Sequence, residues 1–307
     1  MTGASGHVGG ALAARLVEEG HEVIAVSRRL ALVPGLSQTL AVDLAAPGAR
    51  QRLAEAGRCE AIVHAAAAVV HAPDDLSVSL VNCAGTQLLV TLAEEWHTER
   101  LVYISGVPVI GRPRTLPVTE EHPVDPPTAY HASKLYGEQL VELARRRGLS
   151  AATLRLTSPV GPGTPDGRIL SVFVRRAISG DALEVAGSGR RTQDYVDVRD
   201  AADAVAACLD RDVSGLFNVA SGRSVSNLEL AERCVAALGS SSPIRVGERP
   251  DPEDAIRWEV SIEREAKRFG YAPSRSLADS IAAVAASRPR GMAKAIGSSP
   301  GRGESSK

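Results

Sequence analysis

The sequence predicts an α/β fold in which helices cover both faces of a largely parallel β-sheet, with a smaller part towards the C-terminus. Short apolar runs alternate along the chain with helix-length amphipathic stretches, which is typical of repeated βαβ units. A glycine-rich loop begins at Thr2, and loops of this kind join a strand to a helix where such a sheet binds ligands. With 307 residues, 44% of them hydrophobic, the chain can bury a large core.

The individual elements follow from these runs and from the glycines that end them. Strands are predicted at residues 23–26, 39–42, 61–64, 101–104 and 152–156. Helices are predicted over about residues 10–19, 79–96 and 129–147. Gly20 and Gly148 follow two of these helices and are predicted to end them, because glycine readily adopts the left-handed backbone found after helix C-termini.

The glycine-rich loop has the sequence TGASGHVGG at residues 2–10. Its glycines would let the backbone approach a pyrophosphate, and the following helix N-terminus would supply free amides and a positive dipole. The residues predicted to contact the phosphates are Gly3, Ser5, Gly6, His7, Val8 and Gly9. The sequence therefore predicts a nucleotide cofactor at this loop.

Only Met1 precedes this loop, where the first strand of the sheet is expected. The first strand is therefore predicted to be truncated. Loss of a central strand would leave its neighbours with unpaired backbone groups and exposed apolar side chains. A start upstream of Met1 is the more economical explanation.

Composition excludes several classes of protein. The net charge of -1 gives no electrostatic footprint for nucleic acid or for an anionic membrane. Four widely spaced cysteines, Cys59, Cys83, Cys208 and Cys234, lack the pairing of a zinc site or redox motif, so we expect no metal and a reducing compartment. No apolar run reaches the roughly 20 residues of a membrane span, and no signal-type segment is present, so a cytoplasmic location is expected.

Tyr130 and Lys134 form a candidate acid/base pair. They stand at positions i and i+4 of a predicted helix, within reach of each other. A neighbouring ammonium favours the phenolate and lowers the tyrosine pKa, as exchange of a proton with an alcohol or carbonyl requires. The same spacing also occurs on exposed helices without any function, so the ordered glycine loop upstream decides in favour of catalysis.

Taken together, the motifs resemble the extended short-chain dehydrogenase/reductase superfamily, in particular its NAD(P)-dependent epimerase/dehydratase branch, over about residues 2–287. The ordered features are the TGxxGxxG loop, Asp43-Leu44, HAAA at 64–67, Asn82, Gly85-Thr86, residues 105–111, Tyr130 with Lys134, Leu154-Arg155, GPG at 161–163, DYV at 194–196, Asp200, FNV at 217–219 and Gly222. The resemblance implies a Rossmann-type doubly wound fold with a nicotinamide cofactor.

The resemblance also implies roles for particular residues. Tyr130 would be the acid/base, and Lys134 would hold the nicotinamide ribose while depressing the tyrosine pKa. Asp43 would lie near the adenine, and the turn after residue 64 would lie against the ribose and phosphates. The cofactor contacts expected outside the glycine loop are Arg28, Asp43, Leu44, Ala65, Ala66, Ala67, Asn82 and Lys134.

One departure from the family pattern concerns the hydroxyl that assists the tyrosine. The family carries Ser or Thr five residues before the glycine that is Gly111 here, and this chain has Gly106 there. Ser105 is adjacent and is the candidate replacement, provided that the backbone twists, because consecutive strand side chains point to opposite faces. The 4,6-dehydratases of the family carry Thr-Asp-Glu at this place, so the segment Gly106-Val107-Pro108 disfavours dehydration.

A second departure lies on the substrate side. Sugar-nucleotide enzymes of the family place an arginine before the Asp-Tyr/Phe-Val segment, where it can grip a diphosphate. This chain has Gln193 there, and Arg191 could serve through a shifted register or could be part of a solvated turn. Gly106, Arg191 and Gln193 are therefore the candidate substrate contacts, and a nucleotide-diphosphate substrate is left open.

A third departure bears on cofactor preference. The second strand ends in Val26-Ser27-Arg28-Arg29, without the acidic residue that would accept the adenosine ribose hydroxyls. Arginine instead favours a 2'-phosphate, so NADP(H) is predicted over NAD(H). The alternative is that both arginines simply face water.

We therefore predict an NADP-dependent oxidoreductase that reduces a ketone on a small sugar-like or nucleotide-sugar substrate. The alternatives are an NAD-dependent nucleotide-sugar 4-epimerase and a non-catalytic nucleotide-binding protein. The NAD(P)-binding domain is expected at residues 1–160 and about 191–238, the substrate-binding part at 161–190 and 239–287, and a disordered tail at 288–307. A homodimer is allowed but not determined by the sequence.

Overall fold

The computed structural model describes residues 1–69 and 74–288, apart from the side chains of residues 79 and 80. Its strands are β1 (Ile24–Ser27), β2 (Gln38–Ala41), β3 (Ala61–His64), β4 (Arg100–Gly106), β5 (Ala151–Leu156), β6 (Ser158–Val160), β7 (Leu183–Val185), β8 (Thr192–Asp197), β9 (Gly215–Val219), β10 (Ser224–Ser226) and β11 (Ile244–Val246). Its α-helices are α1 (His7–Glu18), α2 (Ala49–Glu55), α3 (Ser77–Trp96), α4 (Ala129–Arg146), α5 (Ile169–Ser179), α6 (Val198–Asp210), α7 (Asn227–Ala237), α8 (Glu263–Phe269) and α9 (Leu277–Ala286).

The central sheet is parallel, as predicted, and carries helices on both faces. β3, β4, β5 and β9 pair in that order, and β1 pairs with β2. Helices α1 and α6 pack together on one face, and α3 and α4 pack together on the other. Every residue of β5 is buried, as expected for a strand covered on both sides.

Among the described residues, the first residues of the chain join the two halves of this sheet. Thr2 forms parallel bridges with Val26 of β1 and His64 of β3. Its amide donates to the Val63 carbonyl at 2.9 Å, and the Val26 amide donates to the Met1 carbonyl at 2.7 Å. Met1 and Thr2 thus pair with β1 on one side and with β3 on the other, in the position of the strand expected before the glycine loop.

Glycines end the predicted helices as expected. Gly20 follows α1 with a φ of 86°, and Gly148 follows α4 with a φ of 105°. Both angles lie in the left-handed region that residues with a Cβ avoid. The boundaries of α1 and α4 predicted from the sequence therefore differ from the observed ones by only a few residues.

The smaller part of the molecule has its own apolar core. Helices α5, α7 and α9 pack around Leu170, Phe173, Leu183, Leu230 and Ile281, all of them buried. β10, β8 and β6 form a short sheet that links this core to the central one, and β11 pairs with β7. The division into two parts at the predicted boundaries remains our proposal, and α7, assigned to the first part, packs here with α5.

Two further predictions concern the ends and surfaces of the chain. The predicted tail at 288–307 lies outside the described residues except for Arg288, whose guanidinium donates to Asp166 at 2.9 Å. Within the described residues, no helix is both long and apolar enough to cross a bilayer.

Candidate active site

The glycine-rich loop lies at the N-terminus of α1, at the carboxyl edge of the central sheet. A Cβ on Gly3 would lie 2.6 Å from the Ala66 amide nitrogen, and a Cβ on Gly9 would collide with the Gly3 carbonyl. Both positions therefore require glycine. Gly6 precedes the helix and provides no side-chain cap, so the first amides of α1 are available to an anion.

His7 is the first residue of α1 and is partly buried. Burial, followed by the nearby Arg168 charge, lowers its pKa to about 4, although Asp197 and a hydrogen bond with the Pro162 backbone oppose the shift. The imidazole is thus neutral near pH 7, and its buried Nε2 has no hydrogen-bond partner within the described residues. Ser5 and Gly6 beside it are exposed, so the backbone predicted to contact a pyrophosphate is accessible here.

A chain of buried hydrogen bonds fixes this loop to the sheet. The His64 ring lies between the hydroxyls of Thr2 and Thr86, at 2.8 Å from Nδ1 and 2.9 Å from Nε2. Burial lowers the pKa of His64 to about 3, with the Lys134 charge as a smaller cause, so the ring is neutral near pH 7. His64 is therefore a structural residue that joins β3 to Thr2 and Thr86.

Asn82 supports the turn that follows β3. Its amide group accepts from the Ala68 amide at 2.7 Å and donates to the Ala68 carbonyl at 3.1 Å and to the Ser133 hydroxyl at 2.8 Å. The Asn82 side chain is therefore occupied in holding the segment of residues 65–68 against α4. Its contact with the cofactor remains a prediction, whereas the partly buried Ala65 and Ala66 lie against Gly3 of the glycine loop, with Ala67 next in the turn.

The ends of β1 and β2 provide the surface predicted for the adenosine. Arg28 and Arg29 are exposed after β1, and their guanidiniums make no ion pair or hydrogen bond within the described part of the chain. Asp43 is exposed and accepts from the Ala45 amide at 3.0 Å. Leu44 is buried and contacts Gly85 of α3. Two unpaired cations thus lie where a ribose phosphate is expected.

Helix α4 brings Tyr130 and Lys134 to the same edge. Thr128 caps this helix by accepting from the His131 amide at 3.3 Å. Gly137 lets α4 approach β4 closely, because a Cβ there would collide with the Tyr103 hydroxyl. The Lys134 ammonium lies 4.5 Å from the centre of the Tyr103 ring.

The pKa shifts of Tyr130 and Lys134 differ from those predicted from the sequence. Burial lowers the pKa of Lys134 to about 8, and the Glu138 carboxylate opposes that shift. Burial also raises the pKa of Tyr130, and the cation that opposes this rise is Arg168. The sequence predicted that Lys134 would lower the pKa of Tyr130, but the structure shows a desolvated ammonium at Lys134 and assigns the opposing charge to Arg168.

Ser105 does not replace the missing hydroxyl, which corrects a second prediction. Its Oγ donates to Glu138 at 2.5 Å, and only 5% of the residue is exposed. Glu138 in turn accepts from Arg155 at 3.0 and 2.7 Å, so the three side chains form a buried network beneath Lys134. The alternation of strand side chains turned Ser105 towards α4, and its hydroxyl is engaged there.

Gly106 is the last residue of β4 and has extended backbone with a φ of −142°. A Cβ at this position would meet only Pro108 Cδ at 3.5 Å and the Leu156 carbonyl oxygen at 3.7 Å, which are ordinary contacts. Glycine is therefore not required by the backbone. The site has room for a side chain at the place where the family carries a hydroxyl.

A cleft of about 550 Å3 lies beyond this edge, between the central sheet and the smaller part. Gln193 lines it and accepts from the Ser158 hydroxyl at 2.8 Å. Arg191 also lines it, but its guanidinium lies 2.6 Å from Glu253 and 3.7 Å from Asp251. The positive charge of Arg191 is therefore largely compensated before any substrate binds.

Several cleft residues escaped the sequence analysis. Arg112, Arg168, Thr157 and His131 line the cleft. Arg112 and Arg168 are exposed and make no side-chain ion pair or hydrogen bond among the described residues. Arg168 could have been suspected because it directly follows the Gly- and Pro-rich loop at 161–167, whereas Arg112 carries no such signal.

Comparisons with known proteins agree with this architecture. The chain matches the NAD dependent epimerase/dehydratase family over residues 1–220. It is 29% identical over 209 residues to a dTDP-glucose 4,6-dehydratase from Actinoplanes sp., a match that covers 67% of this chain and only 65% of that relative. It is 27% identical over 300 residues to a dTDP-6-deoxy-L-talose 4-dehydrogenase (NAD(P)(+)) from Kitasatospora kifunensis, covering 92% of each chain.

A solved structure extends the similarity to the whole fold. The UDP-glucose 4-epimerase of Thermotoga maritima, crystallised with UDP-glucose, superimposes with a TM-score of 0.84 at 20% sequence identity. The superposition covers 93% of this chain and 96% of that one. At this identity the likeness concerns the fold.

Fold and family together define the class of protein. A doubly wound sheet with a glycine loop, followed by a helix that carries the Tyr130–Lys134 pair, is the architecture of an extended short-chain dehydrogenase/reductase. The chain belongs to the NAD dependent epimerase/dehydratase family. The Actinoplanes and Kitasatospora relatives are named as enzymes.

Proposed function

We propose that this enzyme uses NADP(H) to reduce a ketone on a nucleotide-linked sugar. The observation that carries the proposal is that α4 carries Tyr130 and the desolvated Lys134, while exposed arginines at the end of β1 and in the cleft have no ion-pair partner among the described residues. Of the relatives, the dehydrogenase from Kitasatospora kifunensis is named for oxidation and reduction at one sugar carbon, which supports the same class of reaction.

The residues of the site would have separate roles in the reaction. A bound nicotinamide supplies or accepts a hydride at the sugar carbon. Tyr130 would donate its phenolic proton to the carbonyl oxygen during reduction, or accept a proton from the hydroxyl in the reverse direction. Arg168 and Lys134 would stabilise the phenolate that remains, since both are cations near pH 7 and Arg168 already opposes the rise in the pKa of Tyr130.

The preference for NADP(H) is supported by the end of β1. Arg28 and Arg29 are exposed there and unpaired within the described residues, and the strand end offers no carboxylate that would repel a 2'-phosphate. A guanidinium can form two parallel hydrogen bonds with a phosphate. An NADP-linked enzyme fits net reduction better than the redox-neutral cycle of an epimerase.

The substrate class is supported by the charges in the cleft. Because Arg191 is paired with Glu253 and Asp251, it is poorly suited to hold a diphosphate. Arg168 and Arg112 line the same cleft without such partners, so they would receive the anion instead. Gln193, Ser158 and Thr157 offer hydrogen bonds for sugar hydroxyls nearby.

The test is to incubate the enzyme with NADPH and a dTDP-linked 4-keto-6-deoxyhexose and to follow the absorbance of the reduced nicotinamide. Tyr130→Phe should lower turnover by at least about 100-fold while leaving the NADPH Kd nearly unchanged. Tyr136→Phe is the matched control, because Tyr136 lies on the same helix and is 42% exposed.

Two results would contradict the proposal. Equal turnover by Tyr130→Phe and Tyr136→Phe would remove Tyr130 from the chemistry. Interconversion of UDP-glucose and UDP-galactose with no net consumption of NADPH would instead establish the 4-epimerase, whose reaction returns the hydride to the sugar.

A further inference from the structure

His131 is a polar residue of the cleft to which the proposed reaction assigns no role. It follows Tyr130 directly in α4, and the two rings meet edge to face with their centres 5.2 Å apart. His131 lines the cleft together with Pro108, the side chain that a Cβ on Gly106 would meet first. The imidazole therefore contacts the Tyr130 ring and also borders the cleft in which the substrate is expected.

Thr128 holds this ring in one orientation. Its hydroxyl oxygen accepts from the His131 amide at 3.3 Å and lies 2.7 Å from Nδ1 of the imidazole. One oxygen atom at the N-cap of α4 thus binds both the backbone and the ring of the same residue. The position of the imidazole is therefore set by the start of the helix that also carries Tyr130.

The contact between Thr128 and Nδ1 also decides which ring nitrogen carries the proton. A hydroxyl has one proton to donate, and Nδ1 is the only acceptor that the Thr128 hydroxyl meets among the described residues. A proton on Nδ1 would leave that hydroxyl proton without an acceptor in the same part of the chain. Donation from Thr128 to Nδ1 satisfies both groups and places the proton of a neutral ring on Nε2.

The imidazole is neutral near pH 7, because burial lowers the pKa of His131. Its Nε2 forms no hydrogen bond with any of the described residues. This nitrogen lies at the outer end of the ring, whereas Nδ1 is next to the ring carbon that joins the side chain. The Nε2–H group of His131 is therefore a free, uncharged donor at the wall of the cleft.

Other polar groups of the cleft suit different parts of a nucleotide-linked sugar. Its unpaired arginines suit the diphosphate. The Thr157 hydroxyl donates to Asp194 at 2.9 Å. The Ser158 hydroxyl donates to Gln193 at 2.8 Å, so both hydroxyl protons are engaged within the protein. His131 thus supplies the neutral donor that is both free and next to the acid/base.

We propose that His131 is a specificity-determining residue, which donates Nε2–H to the hydroxyl oxygen on the sugar carbon next to the carbonyl. This role rests on the proposed function, which places the carbonyl oxygen at Tyr130. Oxygens on neighbouring sugar carbons are about a hydrogen-bond length apart, so they suit two donors whose rings are in contact. The site therefore favours ketones that carry a hydroxyl beside the carbonyl over the corresponding deoxy ketones.

The test measures kcat/KM with NADPH for dTDP-4-keto-6-deoxyglucose and for its 3-deoxy analogue. The wild-type enzyme should prefer the hydroxylated ketone by about 10- to 100-fold, because the analogue leaves a polar group of the site without its partner. His131→Gln keeps an amide near the position of Nε2 and should retain the preference. His131→Asn reaches only the position of Nδ1, and His131→Phe has no donor, so both should reduce the two ketones with kcat/KM values within about threefold of each other.

A second measurement needs no substrate. Nitrogen NMR of the imidazole in the full chain near neutral pH, assigned by comparison with His131→Gln, should show a protonated Nε2 and an unprotonated Nδ1. Thr128→Val removes the hydroxyl and should give a mixture of the two tautomers. Thr128→Ser keeps the hydroxyl and should give the wild-type signal.

Either of two results would overturn the role of His131 alone. The first is a preference for the hydroxylated ketone that is absent in the wild type or persists in His131→Asn and His131→Phe. The second is a proton on Nδ1 in the wild-type enzyme, which is decisive even where a variant fails to fold. A wild-type enzyme that reduces neither ketone would instead refute the proposed function, and the role of His131 with it.

Discussion

Replacing Gly106 by serine should restore a hydrogen-bond donor to the active site. The backbone accepts the change, because the φ of −142° is extended and a Cβ would make its nearest contacts at 3.5 and 3.7 Å. No atom needs to move, and loss of glycine should slightly stabilise the fold, by about 0.4–1 kcal/mol, through a smaller unfolded-state entropy. Gly106→Ser therefore tests chemistry with little structural disturbance.

The expected gain follows from what one donor to a developing oxyanion contributes. Removal of such a donor typically lowers kcat by about 100- to 1000-fold, and a water that occupies the gap in this enzyme would reduce the difference. We expect Gly106→Ser to raise kcat by about 10- to 100-fold with little change in the NADPH Kd. Single-turnover oxidation of bound NADPH by the keto-sugar nucleotide measures this step directly.

Gly106→Ala is the matched control. It adds the same Cβ without the hydroxyl, so any gain that it shares with Gly106→Ser comes from packing or backbone stiffness. If the two variants reduce substrate at the same rate, the hydroxyl has no role. The inference that Gly106 marks a missing donor would then be wrong.

Further predictions concern charge and stability. Burial lowers the pKa of Lys134 from 10.5 to about 8, so between pH 8 and 10.5 the folded chain binds fewer protons than the unfolded chain and the free energy of unfolding rises with pH. Lys134→Met should flatten this rise in denaturation curves recorded across that pH range. Lys267→Met, at an exposed site, is the control and should leave the rise unchanged. Arg155→Met should lower the free energy of unfolding by about 3–5 kcal/mol, because it leaves Glu138 buried without its partner. Arg146→Met, which removes an exposed ion pair, should change the free energy of unfolding by less than about 1 kcal/mol. Equal losses for the two variants in urea titrations would contradict the importance of the buried network. Arg28→Ala should weaken NADPH binding by about 10- to 100-fold and leave NADH binding unchanged in fluorescence titrations, and a parallel loss for both nucleotides would refute a 2'-phosphate contact.

The buried network beneath the active site shows why geometry was needed to assign Ser105. Its position next to Gly106 made it the natural replacement hydroxyl in the sequence. The strand alternation instead directs it to Glu138, which Arg155 also holds. Glu138 lies one helical turn after Lys134 and opposes the lowering of the lysine pKa, so it acts on the site through charge and without facing the cleft.

The residues of the cleft also show that the sequence alone does not identify the substrate contacts. The sequence offered Arg191 as a diphosphate ligand, but residues 60 or more positions away in the chain compensate its charge. Arg112 and Arg168 come from distant segments and share one cleft only after folding. No local pattern encodes which of several arginines keeps a free charge.

Local chemistry in the sequence determined the fold class, the glycine loop, and the helix with Tyr130 and Lys134. These features depend on short-range spacing and on backbone geometry, which a single segment carries by itself. Tertiary structure alone decided the partner of Ser105, the compensation of Arg191 and the approach of Arg168 to Tyr130. Those properties depend on which distant groups meet and lose water together, and no segment fixes that until the sheet has formed.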